Sequence, residues 1–339
     1  MTTMSSKIYA IILVAVMLLA TVAACTSPAP APQPTVTAPA GSASPEATPK
    51  EEQPDSQITP VLPILPVTMD RDGNYVTLPD KIERIIAMGP SSTEVLSALG
   101  YLDNIIASDI FSVNVPNINP DIPFISIMDP DAELIISLMP DIIFVTGMSR
   151  AGGNDPFSIF AEAGICLVYI PTSNSIEDII EDIRFISAVM GEQEKGEEII
   201  LSMETQINEL RAICETVTDK KTVYFEISAA PFMYSFGSDT FLNEMIELLG
   251  AVNIFGKQVS WLSVSDEDIL KASPDIIFTS VDYIDDPVGE IKSRPGWNEI
   301  NAVKNNDVYY IDTDASTRPS HHIITALLEM ARAIYPELF

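Results

Sequence analysis

The sequence predicts an α/β protein of two Rossmann-like parallel-sheet lobes, joined by one long helix, with a ligand cleft between the lobes. Three observations lead there. Short apolar runs alternate with amphipathic stretches from about Val67 onward, a helix-only segment interrupts the alternation between Ser175 and Val217, and the parts on either side repeat one another. Strands alternating with helices indicate βαβ units and mainly parallel sheets.

Taken in order, Arg84-Ile-Ile-Ala-Met88 is a short apolar strand ending in Gly89-Pro90, followed by a helical stretch from Ser92 to Leu99 that Gly100 stops. Ile142–Val145 and Leu167–Ile170 are further β-rich runs bounded by Pro or Gly. From Ser175 to Met190 isoleucines and a valine recur at 176, 179, 180, 183, 186 and 189, the spacing of one helix face. Gly191 breaks that helix, and a second of roughly 25 residues runs from Glu192 to about Thr216. Strands resume at Thr222–Ile227.

The repeat is the most informative internal feature. Glu133-Leu-Ile-Ile-Ser-Leu-Met-Pro140-Asp141-Ile-Ile-Phe144 matches Glu267-Asp-Ile-Leu-Lys-Ala-Ser-Pro274-Asp275-Ile-Ile-Phe278. Upstream, Glu94-Val-Leu-Ser-Ala-Leu-Gly100 is echoed by Glu244-Met-Ile-Glu-Leu-Leu-Gly250. A proline cannot continue a helix, so each unit reads as helix, stop, buried strand. Two such units imply two similar lobes, and ligands of open parallel sheets sit beyond the strand carboxyl ends. The resulting boundaries are a signal at 1–24, a tether at 25–66, lobes at 67–191 and 218–339, and a connecting helix at 192–217.

The N-terminus specifies export. Lys7 precedes the apolar run Ile8–Ala24, which ends in Val22-Ala23-Ala24-Cys25. A short positive region, an apolar core and small residues before a cut site describe a secretory signal. The Cys25 ending resembles a lipobox, in which the thiol is lipidated and becomes the new N-terminus; the competing reading is a permanent membrane helix, since the run nearly spans a bilayer. Eleven prolines lie within residues 26–66, with few large apolar side chains before Val61. Such a segment cannot bury enough surface to fold and acts as an extended spacer.

Composition excludes several classes. A net charge of −30 argues against nucleic acid, whose phosphates need Lys and Arg. Cys166 and Cys214 read as buried thiols, with a bridge between them left open. No Gly-x-Ser-x-Gly elbow, phosphate-binding Gly-rich loop or Cys-x-x-Cys is present, so nothing points to an enzyme, and no cofactor is expected.

Taken together, Gly89-Pro-Ser-Ser-Thr-Glu94, the two Glu…Pro-Asp units, Arg294-Pro-Gly-Trp297 and Arg318-Pro-Ser resemble the substrate-binding proteins of ABC importers that join their lobes by one long helix, including those for vitamin B12, ferric siderophores and haem. The resemblance covers about Val76 to the C-terminus. It implies an extracytoplasmic, lipid-anchored monomer that hands a small chelate to a permease and closes only modestly on binding. By the same resemblance Glu133 and Glu267 dock with permease arginines, one per lobe. Ordinary helix chemistry also suits them, since a carboxylate in a first turn gains about 0.3–1 kcal/mol from the helix dipole.

For the ligand site, the resemblance places Tyr234 and Trp261 at aromatic positions of the cleft and Arg318 at a ligand-contacting arginine; both aromatics would also serve as core residues. Ile127 and Thr146 stand where the B12 pocket has tryptophans, which weakens the corrinoid reading and leaves the ferric siderophore foremost. For haem, His321 is an axial-ligand candidate, with Met148 opposite, or else a surface residue. Two histidines are too few for the zinc- and manganese-binding relatives. A tethered sensor or scavenger without a permease would use the same cleft but has no need of docking glutamates.

Overall fold

The computed structural model describes residues 67–150 and 153–339. The signal, Cys25 and the proline-rich tether lie outside the described residues. Among the described residues no helix is long and apolar enough to cross a membrane.

The first lobe is a five-stranded sheet in the order β3-β2-β1-β4-β5, formed by β1 (Ile85–Met88), β2 (Ile105–Asp109), β3 (Phe124–Ile125), β4 (Ile142–Thr146) and β5 (Cys166–Ile170). Every pairing in it is parallel. The second lobe has a four-stranded parallel sheet, β11-β10-β6-β8, from β6 (Thr222–Glu226), β8 (Val252–Asn253), β10 (Ile276–Thr279) and β11 (Val308–Tyr310). A small antiparallel pair, β7 (Tyr234–Phe236) with β9 (Trp261–Ser263), stands beside it.

The continuous apolar runs are explained by burial on both faces. Ile85, Ala87, Ile142 and Phe144 enter one core, whereas Ile86, Met88, Ile143 and Val145 enter another, as period-two side chains must. The second sheet divides likewise, with Val223, Phe225 and Phe278 in the first core and Tyr224 and Ile277 in a third. The first core is therefore shared by both lobes. Helices α4 (Ile176–Met190) and α5 (Gln193–Cys214) and the last helix, α11 (Ile323–Ile334), complete it through Ile179, Ile183, Met203, Ile207, Leu327 and Met330.

Helix α4, which leads into the connecting helix α5, has clear ends. Ser175 and Asp178 form a reciprocal capping box at the start of α4, and Gly191 closes it in the left-handed conformation. At Gly196 an added Cβ would lie 2.2 Å from Ser187 Oγ, so glycine lets α5 pack closely on α4. The second helix is slightly shorter than the pattern suggests, ending at Cys214. Cys166 and Cys214 are both free thiols.

The remaining helices named below are α1 (Pro90–Leu99), α2 (Ala132–Ser137), α3 (Ser158–Glu162), α6 (Phe241–Leu248), α7 (Asp266–Ala272), α8 (Pro287–Ser293), α9 (Asn301–Asn305) and α10 (Thr313–Thr317). Helix α1 begins two residues before the predicted Ser92, because Pro90 occupies its first turn, where no amide donor is needed. Gly89 is required just ahead of it, since a Cβ there would meet Thr146 Cγ2 at 2.2 Å.

Candidate functional site

The matched glutamates fall at matched places. Glu133 is the second residue of α2, whose cap Asp131 accepts from Leu134 N at 3.0 Å. Glu267 is the second residue of α7, where Ser265 Oγ accepts from Asp268 N at 3.3 Å. That cap is not a full box, because Asp268 takes the hydroxyl of Ser265 instead of its amide. Both glutamates are exposed, and neither has a hydrogen bond or ion pair among the described residues. The Pro-Asp that follows is a staple in each lobe. Asp141 Oδ2 accepts from Glu83 N and Arg84 N at 2.8 and 2.9 Å, holding the start of β1. Asp275 Oδ2 accepts from Thr222 N and Oγ1 at 2.9 and 2.7 Å, holding the start of β6.

At the carboxyl ends of the strands the two lobes meet. Arg318, in the segment between α10 and α11, donates from Nη1 to Glu94 Oε1 of α1 at 2.9 Å and from Nη2 to Phe111 O, just past β2, at 2.8 Å. Nη2 also lies 2.7 Å from Asp314 Oδ1. Ser320 Oγ donates to the other oxygen of Glu94. Arg318 is 7% and Glu94 3% exposed, so this is a buried ion pair joining the lobes. The family resemblance implies that Arg318 is a ligand contact; the structure engages both its terminal nitrogens with protein acceptors.

Asp109 ends β2 beside this pair. Its Oδ1 accepts from Phe111 N at 2.9 Å, while Oδ2 is buried without a partner. Burial pushes its pKa up to about 6, against the opposing pull of nearby backbone amides and of Arg318. Asp314 is also raised, first by burial, with Arg318 opposing and Asp312, Glu94 and Asp282 adding to the rise.

Tyr234 and Trp261 lie on the small β7–β9 pair, both half-buried. Trp261 sits edge-on to Phe236 at 6.2 Å, and Phe236 packs on Phe225 at 5.5 Å, so part of the indole belongs to the shared core. Tyr234 O accepts from Ile227 N at 3.0 Å, which places it next to the end of β6. Phe232, 68% exposed, and Tyr283, whose hydroxyl accepts from Ala229 N at 2.8 Å, share that neighbourhood and escaped the sequence reading.

His321 is elsewhere. It lines a pocket of about 470 Å³ between α1, α5 and α11, with Ala98, Lys195 and Met203. Burial, then the adjacent His322 ring at 4.1 Å, pushes its pKa down to about 4, so it is neutral at physiological pH. Its Nδ1 is buried without a partner. Tyr234 and Trp261 do not line that pocket. Among the described residues no group of three or more His, Cys, Asp or Glu could hold a metal ion.

Comparison with known proteins decides the family. Residues 85–315 match the model of a family described as "Periplasmic binding protein". The chain belongs to that family. An uncharacterized ABC transporter substrate-binding lipoprotein, YvrC of Bacillus subtilis, is 30% identical over 294 residues, 85% of this chain and 91% of its own length. A vitamin B12-binding protein of Vibrio parahaemolyticus is 25% identical over 255 residues, 74% of this chain and 89% of its own length. Among solved structures, a possible iron-binding periplasmic solute-binding protein of Staphylococcus epidermidis superposes with a TM-score of 0.66 at 28% identity, covering 76% of this chain and all of that one (100%). The two parallel-sheet lobes of this periplasmic binding protein are thus the fold it shares with its relatives.

Proposed function

We propose that the protein is an extracytoplasmic substrate-binding lipoprotein, tethered through Cys25, that delivers a ferric siderophore to an ABC importer and does no chemistry of its own. The observation that carries this is the pair Glu133 and Glu267: same position in the repeat, same helix turn, both exposed and unpaired among the described residues. The helix dipole would favour either carboxylate singly, whereas a partner with two similar halves accounts for one free charge at the same place on each lobe. The likeness to YvrC and to the possible iron-binding protein of S. epidermidis supports the importer and iron readings. The cleft ends of β6, β10 and β11 with Tyr234 and Trp261 supply the apolar, aromatic wall that a bulky chelate needs.

A corrinoid is the second reading, favoured by the likeness to the B12-binding protein of V. parahaemolyticus. Haem ligation by His321 is the weakest, because that ring faces a pocket between helices. The test is uptake by importer-containing vesicles. With Glu133→Ala and Glu267→Ala together, chelate affinity persists and uptake fails; full uptake by that double variant would leave the docking reading untenable and favour a scavenger without a permease.

A further inference from the structure

The charge around Arg318 is informative about what the cleft can hold. Glu94 and Asp314 both contact its guanidinium, and Phe111 O takes a further donor. Asp109, Asp282 and Asp312 complete a set of five carboxylates within electrostatic reach of this one cation or its partners. One of them, Asp109, is 2% exposed and keeps a buried oxygen without a partner. On the first lobe, Arg150 follows β4 and is committed as well: Nε donates to Asp155 at 3.1 Å, Nη1 pairs with Asp72, and the guanidinium lies 3.8 Å over the Tyr169 ring.

We infer that the cleft accepts neutral or cationic chelates and discriminates against polyanionic ones. The inference rests on the reading of the cleft as a chelate site. A ligand carboxylate or catecholate could make a two-pronged contact with the terminal nitrogens of Arg318 only by displacing Glu94 or Asp314. Displacing Glu94 would leave a carboxylate buried and unpaired, a heavily penalised state. The surrounding acids would then repel the incoming anion. A ferric trihydroxamate carries no net charge, or one positive charge if it bears a free amine, and meets neither obstacle. A ferric tris-catecholate carries three negative charges and meets both, and haem brings two ionised propionates.

The experiment titrates the full chain in detergent with a neutral ferric trihydroxamate, an amine-bearing ferric trihydroxamate, a ferric tris-catecholate, haem and a neutral corrinoid, following the fluorescence of Trp261 and Trp297 together with heat. The expected result is binding of a trihydroxamate or the corrinoid, with the tris-catecholate and haem weaker on the order of 100-fold or more. Asp314→Asn, which is partly exposed and spares the Glu94 contact, should narrow the gap for the tris-catecholate on the order of 10-fold. A tris-catecholate or haem bound as tightly as the neutral ligands overturns the charge rule and leaves the chelate reading standing. Binding of none of the five overturns the chelate reading, and the charge rule with it.

Discussion

The two lobes are built on one plan and differ where they work. In each, a helix carrying an exposed glutamate at its second position ends in a left-handed residue, Met139 at φ 46° or Ser273 at φ 44°, followed by Pro-Asp and a buried strand. In each, an aspartate staples the start of the central strand. In each, the second strand closes on an Asx turn, Asp109 to Phe111 N at 2.9 Å and Asn253 to Phe255 N at 3.0 Å. Even the cross-lobe reach is shared: Glu94 of α1 meets Arg318, and its counterpart Glu244 of α6 accepts from Ile176 N at 2.7 Å, at the head of α4. The differences are in charge. Glu94 faces a buried guanidinium and Glu244 a backbone amide; Asp109 is a buried acid and Asn253 a neutral amide bonded to Phe236 O and Asn243. Shared positions therefore carry the scaffold and the matched exposed glutamates, and the unshared charges gather around Arg318.

Breaking the shared positions should have the largest effect. If the proposed docking holds, removing either glutamate alone, Glu133→Ala or Glu267→Ala, should lower uptake on the order of 10-fold or more and by similar amounts, since the positions are equivalent; unequal losses, read in vesicle uptake, would show that the permease distinguishes the lobes. Next, Glu94→Ala removes the more buried of the two carboxylates on Arg318, leaving Asp314 and Phe111 O, and should cost about 3 kcal/mol in denaturant unfolding. Glu244→Ala removes one charge-assisted bond to an amide and should cost about 1.5–3 kcal/mol.

The Asx pair gives a pH signature. Burial raises the Asp109 carboxyl from its ordinary 3.8 to about 6 in the folded protein, so the native state holds the extra proton between those values. Its contribution is present below about pH 4 and lost as pH rises through 6, a span on the order of 3 kcal/mol. Asp109→Asn, which copies the second lobe, should abolish that slope in unfolding measured from pH 4 to 7. The smallest effect should come from Met139→Gly and Ser273→Gly, each stabilising by about 0.5–1 kcal/mol by relieving a left-handed side chain.

Much of this plan is legible in the chain because the repeat spans strongly patterned segments: the apolar strands at 85–88, 142–146 and 276–279 and the isoleucine face of α4 have enough residues to show a period. Strands of two residues, such as Phe124–Ile125 and Val252–Asn253, have no period to read and owe their conformation to the sheets they join. Glu133 and Glu267 are visible as a pair of matched letters. The partner of Arg318 is not, because Glu94 lies more than two hundred positions away, at a separation of 224, and only folding brings the two together. The same holds for His321, whose place between helices and neutral state depend on burial that no local motif encodes.

The claim that matched charges on matched lobes serve a two-part partner is tested most directly by binding of the chelate-loaded protein to its importer in nanodiscs, comparing the wild type with the Glu133→Lys, Glu267→Lys double variant. Affinity for the importer should fall on the order of 100-fold or more, while chelate binding measured on the same sample stays unchanged. Undiminished affinity for the importer would contradict the docking role and leave the two glutamates as helix-start residues only.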